Sequence, residues 1–235
     1  MSGHSKWHSI KQKKGAADAK KGKVFTKLAR AITVAAKGNP DPGTNFQLRL
    51  AIDQAKSANM PKENIERAIA RATGEGKEAL EEVFYEAYGP GGVAIIIEAL
   101  TDNKNRTVSN LKHILSTYGG SLAQTGSVQY LFDRKGVVRV RDLGKDPEAA
   151  ELKLIDAGAE DIYEDEGIKV IIAAPEKLKN ILNALGEEIE VEYSGLEWVA
   201  KDRVSPGEKT VSNLEKLFEA LDEDDDVNDY SSNLA

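Results

Sequence analysis

The chain has 235 residues, 40% of them hydrophobic, which is enough to build cores for one to three domains. It has no cysteine, which excludes disulfides, thiol nucleophiles and cysteine zinc sites. The net charge of −7 hides an asymmetry: residues 1–77 carry 16 Lys and Arg against 6 Asp and Glu, a charge of +10, while the remainder carries 16 against 33, a charge of −17.

A basic head on an acidic body points to a polyanionic partner for the head. Residues 1–15, MSGHSKWHSIKQKKG, contain Lys6, Lys11, Lys13 and Lys14 with Trp7 and Ile10 interleaved, and no acid. Such a segment gains little by packing and reads as a mobile arm that tracks phosphates, with Trp7 available to stack on a base. It lacks the apolar h-region of a secretory signal, and the first 29 residues hold lysine but no arginine, unlike a mitochondrial transit peptide. The apolar run Val93 to Ile97 stops at Glu98, far short of the roughly 20 residues that span a bilayer. These features, with the absence of cysteine, lead us to expect a cytoplasmic protein without a membrane partner.

Helical spacing begins near Asp18 and runs to Lys37. Val24, Phe25, Leu28, Ile32 and Ala35 fall on one arc, and Lys20, Lys23, Lys27, Arg30 and Lys37 on the opposite one. The second arc is a stripe about 25 Å long at 1.5 Å per residue. Its like charges repel along the helix, so it costs stability unless a polyanion offsets the repulsion. The breaker Gly38-Asn39-Pro40-Asp41-Pro42-Gly43 is followed by a second helix over 45–57, with Phe46, Leu50 and Ile52 as expected core. After a turn at 58–61, a third helix runs to about Ala72 and packs Ile65, Ala68 and Ile69. The close helix pair resembles a helix-turn-helix only weakly.

Thr73 to Gly76 reads as a linker. Strands are expected over 82–88 and 93–100, turned by Gly89-Pro90-Gly91-Gly92, then a helix over 105–118 and a strand over 127–132. From Val137 the expected order is strand 137–141, helix 147–157, strands 160–164 and 168–173 about a Glu164-Asp165-Glu166-Gly167 turn, helix 175–185 and strand 188–199. This is βαββαβ, the ferredoxin-like order. A helix over 209–221, the acidic run Asp222 to Asp226 and a strand over 227–231 supply the αβ that the 82–132 unit lacks. The expected class is therefore α+β: an N-terminal three-helix domain plus two ferredoxin-like α/β domains, one inserted in the other. The expected boundaries are 1–78 for the basic helical domain, 79–133 with 204–235 for the discontinuous domain, and 134–203 for the insert.

The sequence offers no catalytic constellation. His4 and His8 lack a third ligand nearby, and His113 lies off the apolar face of its helix. No triad, HExxH or Walker sequence is present, and Gly89-Pro90-Gly91-Gly92 is not followed by Gly-Lys-Ser/Thr. We therefore expect no enzyme, no metal, no cofactor and no small-molecule substrate.

The segments GHSKWHSIKQKKGAADAKKGKVFTKL, LRLAIDQAKSANMPKENIERAI, YGPGGVAIIIEALTDNKNRT and GSVQYLFDRKG follow one another in the order seen in the YebC/PmpR family, which the whole chain resembles. The resemblance implies a three-domain cytoplasmic protein described as a DNA-binding transcriptional regulator. It also implies relatives that act on the ribosome, relieving stalls at proline runs, and a mitochondrial relative that activates translation. By position, Lys11, Lys13, Lys14, Lys20, Lys21, Lys23, Lys27 and Arg30 fall in that family's basic stretch, and Ala31 departs from a glutamate common there. With Lys6, Trp7, Lys37 and Arg49, these are the candidate contacts to DNA or ribosomal RNA. Lysines suit phosphates and carry little base information, which mildly favours the ribosome as partner over a promoter. Gln47, Arg49, Arg67 and Arg71 on the second and third helices are further side chains able to supply base readout. A protein-interaction adaptor acting through the acidic domains is the alternative of another class.

Overall fold

The computed structural model describes residues 18–73, 80–186 and 188–235, with side chains from Gly22 onward. The candidate arm residues and the 74–76 linker lie outside the described residues. Helix α1 is Asp18–Ala35, α2 is Phe46–Ser57 and α3 is Lys62–Thr73. Their core joins Ile32 and Ala36 of the first segment to Leu48, Ile52, Ile65 and Ala68. Thr33, buried, donates its hydroxyl to Ala68 O at 2.9 Å and so ties α1 to α3. Asn45 caps α2 by accepting from Leu48 N at 3.1 Å, and its amide donates to Ala35 O and Asn39 O at 2.7 Å each. One side chain thus closes the α1–α2 corner. Val24, assigned to the apolar arc, is 39% exposed and stands outside the helical core that Phe25 and Leu28 join.

The first sheet contains β1 (Glu81–Tyr88), β2 (Ala94–Thr101), β3 (Ser121–Leu122) and β8 (Val227–Ser232), in the order β3-β1-β2-β8. Gly91 and Gly92, at φ 72° and 76°, make the β1–β2 turn that the glycine run signals. Helices α4 (Lys104–Thr117) and α7 (Glu208–Glu223) cover one face. There Ile95 and Ile97 meet Leu111, Leu115, Leu214 and Phe218. Ala94 and Ile96, one residue out of phase, face Val128 and Phe132 instead. The expected strand over 127–132 does not form. Residues 126–129 are held by Glu86, whose carboxylate accepts from Gly126 N and Val128 N at 2.6 Å and Gln129 N at 2.9 Å. Those amides are therefore unavailable to a ladder.

The chain then leaves this sheet and builds a second one. Its elements are β4 (Phe132–Val140), α5 (Pro147–Ala157), β5 (Ala159–Asp165), β6 (Ile168–Ala173), α6 (Leu178–Leu185) and β7 (Val191–Ala200). The strand order is β5-β6-β4-β7, all antiparallel, which is the ferredoxin-like arrangement. The β5–β6 hairpin turns on Glu166 and Gly167, both at positive φ. Strand β4 begins five residues before the expected Val137, because Phe132 to Lys135 pair with the end of β7. Helix α6 begins at Leu178, after a short 3-10 turn at 175–177.

The helical domain docks on both sheets. Phe46 and Leu50, expected in its own core, pack into the second sheet's cluster with Val138, Val140 and Leu143. Gln54 donates to Ser194 O on β7 at 2.8 Å.

Candidate nucleic-acid interface

Helix α1 turns its basic arc toward the acidic end of α7. Lys23 pairs with the Glu223 carboxylate, which lifts the pKa of the lysine. Lys27 Nζ donates to Asp222 O at 2.8 Å. Arg30 Nη1 donates to Asp225 O at 2.6 Å, to Asp226 Oδ1 at 3.0 Å and to Leu100 O at 3.3 Å. Lys37 donates to Leu80 O. Because α7 ends at Glu223, Asp222 O is among the last-turn carbonyls that lack an intrahelical partner, at the negative end of the helix dipole. The repulsion along the stripe calls for a polyanion to offset it. Among the described residues that role falls to the run Asp222 to Asp226, roughly 200 residues later in the same chain.

Asp226 holds this contact together. Its side chain is 4% exposed and accepts from Arg106 Nη2 at 2.8 Å, Thr107 Oγ1 at 2.9 Å and Arg30 Nη1 at 3.0 Å. Burial pushes its pKa up, but the hydrogen bonds from Arg106, Thr107 and Arg30 outweigh that and hold the carboxyl below its usual value. Sequence reasoning missed Asp226 and Arg106. The signal present was the acidic run leading directly into a β-forming Val227, which buries its first neighbour.

The other candidates are scattered. Lys6, Trp7, Lys11, Lys13 and Lys14 lie outside the described residues, as do the side chains of Lys20 and Lys21. Arg49 braces its own loop, donating to Pro42 O at 3.0 Å and Gly43 O at 2.7 Å. Gln47, Arg67 and Arg71 are exposed.

A cleft of about 480 Å³ opens between α1, α3 and the first sheet. Its apolar part is Phe25, Ala29, Ala68 and Leu80. Its polar rim is Arg30, Arg67, Arg71 and Asn64, with Asp102 opposite. On α3 the spacing 64, 67, 68, 71 puts these residues on one helical face. The two alanines, one from each helix, contribute no side-chain bulk beyond Cβ. Among the described residues no group of three or more His, Asp or Glu is placed to hold a metal ion, and no helix is long and apolar enough to cross a membrane.

Two family profiles match the chain. Residues 5–75 match one described as the TACO1/YebC protein N-terminal domain, and residues 80–234 match the TACO1/YebC second and third domain. The chain belongs to the TACO1/YebC family. A relative in Thermotoga maritima is 48% identical over all of this chain and 94% of its own length. One in Kosmotoga olearia is 47% identical over all of this chain and 94% of its own. Each is named a probable transcriptional regulatory protein. The crystal structure of a conserved hypothetical protein from Aquifex aeolicus superposes with a TM-score of 0.86 at 43% identity. That match covers 95% of this chain and 93% of the other. The family's names describe a class of regulator rather than a class of enzyme.

Proposed function

We propose that this protein is a non-enzymatic, nucleic-acid-binding regulator of gene expression, with the contact made by the basic helical domain of residues 1–78. The observation that carries the reading is the concentration of cationic side chains on that domain, +10 over residues 1–77, against an acidic remainder. The relatives named as transcriptional regulators support the same class. The proposed contacts include the lysines of the arm and of α1, with domain boundaries at 78/79, 133/134 and 203/204.

One observation favours structured RNA, and so the translational reading, over a promoter. Arg30 is the only side chain on α1 with a bidentate fork, and it is committed to Asp226, Asp225 O and Leu100 O. Sequence readout by α1 would have to dismantle that anchor. Recognition of phosphates and shape needs only lysines. The test is a competition at fixed salt between purified ribosomes and a randomised duplex pool. Ribosomes should displace every duplex. Recovery of one tight duplex that ribosomes cannot displace would leave the transcriptional reading standing, and failure to bind either would end both.

A further inference from the structure

We propose that the cleft between α1, α3 and the first sheet takes one unpaired nucleotide of the bound polynucleotide, with its base against the apolar part and its phosphate on Arg67. The inference rests on the nucleic-acid reading above and gives that reading a defined pocket.

Size and shape come first. At about 480 Å³ the cleft falls in the range of small-ligand sites, and a single nucleotide is of that scale. Ala29 of α1 and Ala68 of α3 both line it, and neither adds side-chain bulk beyond Cβ. Thr33, bonded to Ala68 O, fixes the spacing of the two helices, so the opening is built into a packed core.

Charge comes second. Three guanidinium groups and one carboxylate line the cleft, so it carries a net positive charge. Arg30 and Asp102 are committed elsewhere, Arg30 to Asp226 and Asp102 to Arg106 at 2.8 Å. Arg67 is exposed on the rim, and no hydrogen bond or ion pair to it is found among the described residues. It can offer its planar fork to a phosphate in the way guanidinium groups do best. Asn64, one turn earlier on the same helix face, carries both a donor and an acceptor for the edge of a base.

Chemistry comes third. An apolar wall beside guanidinium and carboxamide groups suits a flat, polar-edged ring attached to an anion. A paired base is stacked within its duplex and cannot enter, so the cleft selects loops, bulges and single strands.

The test uses the full chain and fluorescence anisotropy with three labelled probes: an RNA hairpin with an unpaired loop, the same stem closed into a continuous duplex, and a DNA hairpin of the same loop sequence. The expected result is at least tenfold tighter binding of a looped hairpin than of the duplex. Comparison of the RNA and DNA hairpins reports which sugar the site accepts. Arg67→Gln should erase the loop preference and lower the salt slope for the loop by about 0.7, one single-strand phosphate contact. Binding of the duplex, which does not enter the cleft, should weaken far less than loop binding. Thr26→Trp alters no charge but fills the exposed mouth of the cleft from α1, and it should erase the same preference. Both positions are exposed, and an unchanged melting temperature will show that the fold is intact. If wild type binds loop and duplex equally, or if both variants retain the loop preference, the cleft is not the site even though the protein binds nucleic acid. If no probe binds at all, the nucleic-acid reading falls with it.

Discussion

Asp226→Asn tests the anchor between the helical domain and the first sheet. The substitution keeps the shape of the side chain and removes its charge. In the native protein that carboxylate, 4% exposed, accepts from two guanidinium groups and one hydroxyl within 3.0 Å. Removing one partner of a fully buried ion pair costs about 3–5 kcal/mol. Here Arg106 is 44% and Arg30 25% exposed, so both can recover part of their hydration. The expected loss is therefore lower, about 2–3 kcal/mol, consistent with hydrogen bonds to a charged group at about 1.5–3 kcal/mol. At roughly 2–4 °C per kcal/mol for a chain of this length, the melting temperature should fall by about 4–12 °C at pH 7. The pH dependence has a definite sign. Because the folded-state pKa lies below the unfolded value, the stabilisation is fully present above the ordinary aspartate range and is lost as pH falls through the folded pKa. The gap between wild type and variant should thus be constant from neutral pH down to about 5 and close below it. Thermal melts by circular dichroism over pH 3–8 measure this. A variant that melts within a degree of wild type at pH 7 would refute the anchoring role.

Two further outcomes are expected. Glu98, which accepts from Asn228 at 2.6 Å, is pushed up to about 7 by burial and by the charges of Asp229 and Glu82, so its contribution to stability is lost as pH rises through that value. Glu98→Gln should melt higher than wild type at pH 8 and should lose less stability between pH 5 and 8, and identical pH profiles would count against the assignment. The double variant Glu223→Gln/Asp225→Asn removes two carboxylate charges that act on Lys23, and should raise nucleic-acid affinity about two- to fivefold at low salt. Unchanged or weaker binding would show that the acidic run does not compete with nucleic acid for the stripe.

Much of the fold was legible because its signals are local. The alternation in Ile95, Ile96 and Ile97 sorts them to opposite faces of β2. Pro147 at the first turn of α5 and Gly158 in the left-handed conformation after it mark that helix from both ends. The ferredoxin-like order follows from counting such elements, and a helix and strand left without partners point back to the first unit, though not to β2 as the strand that β8 pairs with. Misreadings arose where a local signal met a distant competitor. Residues 127–132 have strand-forming composition, but Glu86, some forty residues earlier, takes the amides of Val128 and Gln129. Phe46 and Leu50 are apolar at helical spacing, and that pattern alone does not say which of two domains will cover them.

The candidate site divides along the same line. The sequence by itself determined that α1 carries a cationic face, since the 3.6-residue period puts Lys23, Lys27 and Arg30 on one side whatever surrounds them. Only the tertiary structure decided what that face meets. Charge attracts without a sequence signature for its partner, and the acidic run lies nearly 200 residues away, at the end of a helix that returns to the first sheet only after the insert is complete. The cleft likewise has no local signature. It is lined by Ala29 and Ala68 from separate helices, and the distance between those helices is set by the packing of the whole domain.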